Sequence, residues 1–373
     1  MQPFEYVDTN AELNRVGAAW NSVSVLGLDT EFIRERTFEP IAGLIQVNAE
    51  GTIYLLDCVK LTDFSAFAQV LANPNILKLL HSGTEDLQVF AAICATLPRP
   101  VFDTQIAAAF AGLGASVSYQ RLVAELTGVT LAKDQTRSDW LARPLSANQL
   151  EYASLDVVHL IDVYQQLVER IAQRGFTRWC EAEMARVMHP QRAYPLPEEM
   201  YKKVKGASRL NPLEQHRLRA LATWREEVAI ARDVPRNHIV RDVGLLGLAR
   251  RPLYELEALR SAELLHPAAL RKYGLDLLGA VEDFDAQRAM HGARAPLLQA
   301  LDKERSAANI ASLQALVESR AAQLDLPTPL LARKRDLEAL ACDQKHEDAA
   351  LLLSDWRYEA VGRDLLAFLE NNE

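Results

Sequence analysis

The stretch Val23-Ser24-Val25-Leu26-Gly27-Leu28-Asp29-Thr30-Glu31-Phe32 decides how the first half of the chain is read. Its opening run is apolar and rich in valine and leucine, the signature of a strand. Side chains alternate between the two faces of a strand, so Asp29 and Glu31 point the same way. Two carboxylates held together repel each other unless a divalent cation neutralises them, and hard cations such as Mg²⁺ take oxygen ligands of this kind. The triplet alone is a common pattern. Asp302/Glu304 and Asp336/Glu338 repeat it in helical, solvent-like surroundings that need no metal. What sets the first copy apart is the apolar strand that leads into it.

Outward from there, residues 44–47 and 53–56 read as two more strands joined at Glu50-Gly51, a hairpin signal. Residues 76–80 form a fourth short run. Ser82-Gly83-Thr84 then offers a helix start, and residues 85–95 are apolar at helical spacing. Val101-Phe102 suggests a fifth strand, followed by an Ala-rich helix over 105–111, and helical patterns dominate as far as residue 168. Antiparallel strands first and strand–helix alternation afterwards predict an α/β domain, a mixed sheet flanked by helices.

Three prolines between His189-Pro190 and Pro197 break the pattern, and beyond Ser208 the chain is helical throughout. A weak repeat is visible there. Leu218 to Asp233-Val234-Pro235 and on to Arg251 resembles Leu313 to Asp325-Leu326-Pro327 and on to Leu340, with residues 284–296 expected as the connection. The predicted organisation is a domain over 1–188, a linker over 189–207, a helical bundle over 208–288 and a diverged second bundle over 289–373.

The 373 residues are 49% hydrophobic and 24% charged, which excludes disordered and fibrous classes. No apolar stretch approaches a membrane span and no secretory leader is seen, so no membrane partner is expected. Cys58, Cys94, Cys180 and Cys342 lie too far apart for a zinc site or a disulfide framework, which suits a cytoplasmic protein. Net charge is −9, yet residues 201–260 carry 13 Lys and Arg against 7 Asp and Glu. Such asymmetry fits one polyanion-binding module, although a solvated helix face has the same look.

Two further pieces carry chemistry. Tyr152 and Asp156 lie one helical turn apart on one face, where the plain reading is a half-buried tyrosine beside a surface carboxylate. Asp86 opens the helix after a later strand, where the helix dipole alone favours an acid. Taken in order, Asp-x-Glu, the helix-opening Asp and Tyr-x-x-x-Asp resemble the three exonuclease motifs of the DEDD superfamily, tyrosine subtype. Leu44-Ile45-Gln46, Leu80-His81-Ser82-Gly83-Thr84-Glu85-Asp86-Leu87, Asp103-Thr104-Gln105 and Arg137-Ser138-Asp139-Trp140-Leu141-Ala142-Arg143-Pro144-Leu145 are similar to the bacterial ribonuclease D family. The chain after Ser208 resembles HRDC modules, with the C-terminal copy the loosest match.

The resemblance implies an RNase H-like exonuclease domain followed by two all-α HRDC-type bundles. It implies a 3′–5′ exoribonuclease that uses two divalent metal ions, Mg²⁺ or Mn²⁺, held by Asp29, Glu31, Asp86 and Asp156, with Asp29 bridging. Tyr152 would orient the attacking water. The products would be 5′-mononucleotides, and the partners tRNA precursors and other small structured RNAs. Phe32, Gln46, His81, Arg137, Trp140 and Arg143 are candidate substrate contacts. A structural role explains Phe32, Gln46 and His81 equally well, whereas the local family resemblance favours Trp140 as an aromatic between the cations Arg137 and Arg143 near the strand path. Lys202, Lys203, Lys205, Arg209, Arg217, Arg219 and Arg225 are candidate phosphate contacts. No obligate protein partner is expected, and the default is a monomer. Alternatives are a 3′–5′ DNA exonuclease and a non-catalytic RNA-binding protein with a relic site.

Overall fold

The apolar run ahead of Asp29 does not stop at the carboxylates. Strand β2 spans Val25–Ile33, because β3 (Ile41–Ala49) pairs antiparallel with it along its whole length. Backbone pairing here overrides the low strand preference of aspartate. The computed structural model describes residues 3–131, 138–291, 297–298, 303–343 and 347–371. Two compact units emerge: Met1–Ile33, Pro40–Ala193 and Lys303–Glu373 form one, Arg34–Glu39 and Tyr194–Asp302 the other.

The first unit is built on a six-stranded sheet of order β1-β4-β3-β2-β5-β6. The expected hairpin is β3 with β4 (Thr52–Asp57), and its turn residues Glu50 and Gly51 both have positive φ, 49° and 97°. Two left-handed residues match the twist of the flanking strands. β5 (Leu77–Leu80) and β6 (Val101–Asp103) run parallel to β2. The sequence reading left residues 4–20 unassigned. They form β1 (Phe4–Val7), parallel to β4, and helix α1 (Asn10–Trp20).

Helices α1, α2 (Ser65–Ala72) and α3 (Asp86–Cys94) cover one face of the sheet. Trp20 meets Tyr54 and Phe67 edge-on at 5.2 and 6.0 Å, inside a core that includes Leu26, Leu28, Ile45 and Val47. Burying each such side chain contributes about 1.5–3 kcal/mol. Lys78 is fully buried, and its three ammonium protons go to the carbonyls of Asn73, Ile76 and Arg99 at 2.6–2.8 Å. A buried charge is tolerated there because every donor is used.

The opposite face carries α6 (Ala147–Val158) and α7 (Leu160–Gln173). A Cβ at Gly27 would lie 3.2 Å from Leu160, so the absent side chain lets the start of α7 settle on the sheet. The helical pattern expected as far as residue 168 is thus broken at His159 into α6 and α7. Around the sheet lie α4 (Thr104–Phe110), α5 (Tyr119–Thr127), α8 (Thr177–Val187) and α9 (Pro190–Ala193).

The second unit contains α10 (Pro212–Arg232), α11 (Arg236–Ile239), α12 (Asp242–Arg250), α13 (Leu256–Ser261) and α14 (Pro267–His291). The connection expected at residue 284 starts later. α14 continues to His291 because nothing from 284 to 291 breaks a helix. The segment Arg34–Glu39 belongs to this unit, with Phe38 in its apolar core. The remaining helices are α15 (Lys303–Leu324), α16 (Thr328–Leu331), α17 (Lys334–Cys342), α18 (Glu347–Ala350), α19 (Asp355–Arg357) and α20 (Arg363–Glu370). Their contacts cluster with the sheet unit. The units therefore cut the chain differently from the segments 1–188, 208–288 and 289–373.

Candidate active site

The site forms where the sheet parts. β5 pairs with β2 only from Val25 to Gly27, and beyond that point β2 keeps just its β3 neighbour. The start of α3 fills the gap and brings Asp86 beside the acidic triplet. A register shift between Glu31 and Phe32 follows at once, a bulge of the kind that re-aims side chains near functional sites.

Asp156 comes from α6 on the same face. That helix begins with a capping box between Ser146 and Gln149. Its last turn is pinned by Asn48 of β3, whose amide donates to the carbonyls of Val157 and Val158 at 2.9 and 3.1 Å. One oxygen from each of Asp29, Glu31 and Asp156 lies within 4.8 Å of the others, and all three side chains are only partly buried. Asp86 is 8% exposed and accepts the Thr30 hydroxyl on Oδ1 at 2.5 Å.

The electrostatics are those of carboxylates pressed together. Burial, then the carboxylates of Asp86, Asp156 and Glu31, hold Asp29 well above the usual carboxylate range. Glu31 is pushed up to about 9 by burial and by Asp156 and Asp86. Asp86 rises to about 6, burial outweighing the Thr30 hydrogen bond. The neighbouring charges that act most strongly on Asp29 and Glu31 are carboxylates. An oxygen-only, partly open acidic group of this kind fits divalent cations. The Tyr152 phenol donates to Asp156, and burial followed by the neighbouring carboxylates raises it far above its ordinary value.

Comparison with known proteins fits this geometry. A 3′–5′ exonuclease family profile matches residues 4–172 and an HRDC domain profile matches residues 214–281. A ribonuclease D of Pseudomonas paraeruginosa is 36% identical over 377 residues, covering 98% of each chain. One from Xanthomonas oryzae pv. oryzae is 38% identical over 348 residues, covering 93% of this chain and 94% of its own. The chain belongs to the ribonuclease D family. The crystal structure of Escherichia coli RNase D superposes with a TM-score of 0.88 at 30% identity over 99% of both chains. The enzyme is by class a 3′–5′ exoribonuclease, with the divalent-metal dependence of its exonuclease domain.

Not every candidate residue stands free to meet a substrate. Trp140 is 2% exposed, and its ring lies 6.1 Å from that of Tyr152. Arg143 is bound bidentately by Asp57 at 2.7 and 2.8 Å and also donates to the Gly43 carbonyl at 2.7 Å. A Cβ at Gly43 would come within 2.5 Å of the Trp140 carbonyl oxygen, so the glycine admits this loop. Trp140 and Arg143 are corrected from substrate contacts to residues that dock the loop beside Tyr152. His81 is partly exposed, with Nδ1 2.9 Å from the Thr104 hydroxyl and Nε2 3.1 Å from the Val117 carbonyl oxygen. Gln46 is fully buried opposite Asp29, out of a substrate's reach. Phe32 is partly exposed, and Arg137 lies outside the described residues.

In the helical unit Arg217 and Arg225 are each 4% exposed. Arg217 donates to Ala249 and Asp285, Arg225 to Val240 and Asp242, so both brace helices and neither reaches a phosphate. Lys202, Lys203, Lys205 and Arg209 are exposed and Arg219 partly so, with Lys202 also ion-paired to Glu199 at 2.5 Å. Sequence reasoning missed Thr30, Asn48 and Tyr119. The Tyr119 hydroxyl accepts the His159 N–H where α6 ends, and its own acidity feels Asp156 and Asp29. Thr30 had a signal in plain view, being the residue between the two acids; Asn48 and Tyr119 had none.

Proposed function

We propose that the enzyme trims the 3′ ends of small structured RNAs, tRNA precursors among them, releasing 5′-mononucleotides one at a time. The observation that carries this reading is the convergence of Asp29, Glu31 and Asp156 within 4.8 Å, each of Asp29 and Glu31 pushed up by the neighbouring carboxylates. Asp29, Glu31, Asp86 and Asp156 would hold two ions, Mg²⁺ or Mn²⁺. Bound there, such ions supply Lewis-acid activation of water and neutralise charge on the transferring phosphoryl group. Asp29 feels all three other carboxylates, which suits a central place in the set that would hold the ions.

Tyr152 stays protonated across the physiological range, so it acts by orientation. Its O–H donates to Asp156, and the phenol oxygen retains a lone pair that can aim a water at phosphorus. Trp140 packs beside the ring and limits its motion. Phe32, partly exposed after the bulge, is placed to stack on the terminal base, an interaction of about 1–3 kcal/mol. Lys202, Lys203, Lys205, Arg209 and Arg219 would contact RNA phosphates and add salt dependence.

The division into an exonuclease domain over 1–188, an HRDC domain over 208–288 and a diverged HRDC-like copy over 289–373 is proposed on the HRDC match at 214–281 and the repeated helix succession. All four cysteines are free, which suits action in the reducing cytoplasm, as a monomer. The test is a time course on a 3′-extended tRNA, with matched DNA, with and without divalent ions. Metal-dependent release of mononucleotides from the RNA supports the reading. Preferential digestion of DNA, or release insensitive to chelator, defeats it.

A further inference from the structure

We propose that Thr30 is a positioning residue for the reaction, holding Asp86 so that its second carboxylate oxygen faces the acidic cluster. The inference rests on the assignment of Asp29, Glu31, Asp86 and Asp156 as the metal-holding set.

Strand alternation turns Thr30 away from Asp29 and Glu31, toward the core face that also carries Leu26 and Leu28. The side chain is 6% exposed. A hydroxyl on such a face is costly unless it is hydrogen-bonded, and valine would fill the same space with a better strand preference. What the hydroxyl has that valine lacks is its 2.5 Å bond to Asp86 Oδ1.

Asp86 is the carboxylate that needs fixing. It comes from a helix rather than from β2, and it stands outside the trio whose oxygens lie within 4.8 Å of one another. β2 has no β5 partner beyond Gly27, so no ladder hydrogen bond ties the start of α3 to the strand there. The Thr30–Asp86 bond makes that tie, 56 residues apart in sequence. With Oδ1 engaged, the carboxylate cannot rotate freely, which sets the direction of Oδ2. Partners of metal ligands typically change metal affinity 10–100-fold when removed.

The test uses the full chain, Mn²⁺ titrated by calorimetry, and mononucleotide release at limiting and saturating Mn²⁺. Thr30→Val should weaken Mn²⁺ binding at least about tenfold and lower kcat at limiting metal, while KM for RNA stays put. Thr30→Ser, which keeps the hydroxyl, should remain within about threefold of the parent. In an Asp86→Asn background the valine change should add less than about twofold, because its effect runs through Asp86. If Thr30→Val lacks a cooperative melt, Thr30→Ala carries the same comparison. Parental Mn²⁺ affinity in the hydroxyl-less variant, or a full further loss on top of Asp86→Asn, overturns the proposal. Asp29→Asn separates the two layers. Intact Mn²⁺ binding in that variant sinks the ligand assignment itself, whereas loss there beside an unaffected Thr30→Val removes only the positioning role.

Discussion

Two acidic sites in the sheet unit solve the same electrostatic problem in opposite ways. Glu183 of α8 is 4% exposed, and its carboxylate is gripped by Arg357 at 2.7 and 2.9 Å and by Arg186 at 2.6 and 3.0 Å. Burial alone would raise it, yet the two guanidinium groups bring it down to about 2. Asp29, Glu31 and Asp156 bring three carboxylates together, and Glu31 climbs to about 9. The first site carries its counter-charge within the chain and so serves as a fastener. The second gathers carboxylate oxygens that repel one another, the ligand set a divalent ion takes.

The sharpest way to break the contrast is to remove a carboxylate from the open site. Asp29→Asn or Asp156→Asn should lower turnover about a thousandfold or more, upwards of about 4 kcal/mol of transition-state stabilisation, while RNA binding survives. Single-turnover release beside a filter-binding assay decides it, and a variant that keeps a tenth of the parental rate refutes the contrast. In the closed site, Arg357→Met should destabilise the fold by about 3–5 kcal/mol in urea titration, because Glu183 is left buried beside a more exposed Arg186. Pairing it with Glu183→Leu should recover most of that loss. If the double variant is as unstable as the single one, the fastener is packing rather than charge.

Smaller effects sharpen the picture. Tyr152→Phe should reduce kcat roughly a hundredfold with divalent-ion affinity unchanged. A parallel fall in affinity would move Tyr152 into the ligand set. The mildest signature is pH dependence in chelator. Asp86 and Glu31 bind their protons more tightly folded than unfolded, so the stability they contribute is present at low pH. It is lost as pH rises through about 6 and about 9. Saturating divalent ion should flatten that slope. Glu183 has the reverse sign: its contribution is present above about 4.5 and disappears as pH falls toward 2. Denaturation midpoints between pH 5 and 9 that do not respond to metal would count against the open site.

The two helical stretches show where legibility ended. α10, α11 and α12 have 21, 4 and 9 residues, and α15, α16 and α17 have 22, 4 and 9. Asp233 and Asp325 both take positive φ, 46° and 50°, just ahead of Val-Pro and Leu-Pro. That repeat could be read because turn chemistry is local. What each aspartate holds could not. Asp233 accepts the N–H groups of Phe38 and Glu39, each at 2.9 Å, within the helical unit. Asp325 takes Arg174 at 2.7 Å within the sheet unit. The arginines misled for the same reason: charge is visible in a sequence, burial is not, and Arg217 and Arg225 looked no different from Arg219.

The order of the chain by itself determined the strand that carries Asp29 and Glu31, the helix that carries Tyr152 and Asp156, and the character of the helical half, since alternation, capping and turn preferences act over a few residues. Tertiary structure alone decided that β5 leaves β2 after Gly27 and opens a gap for Asp86, that Thr30 reaches across it, and that Asn48 pins the end of α6. Those contacts join residues tens of positions apart. Their geometry follows from how sheet and helices pack, which no local pattern encodes.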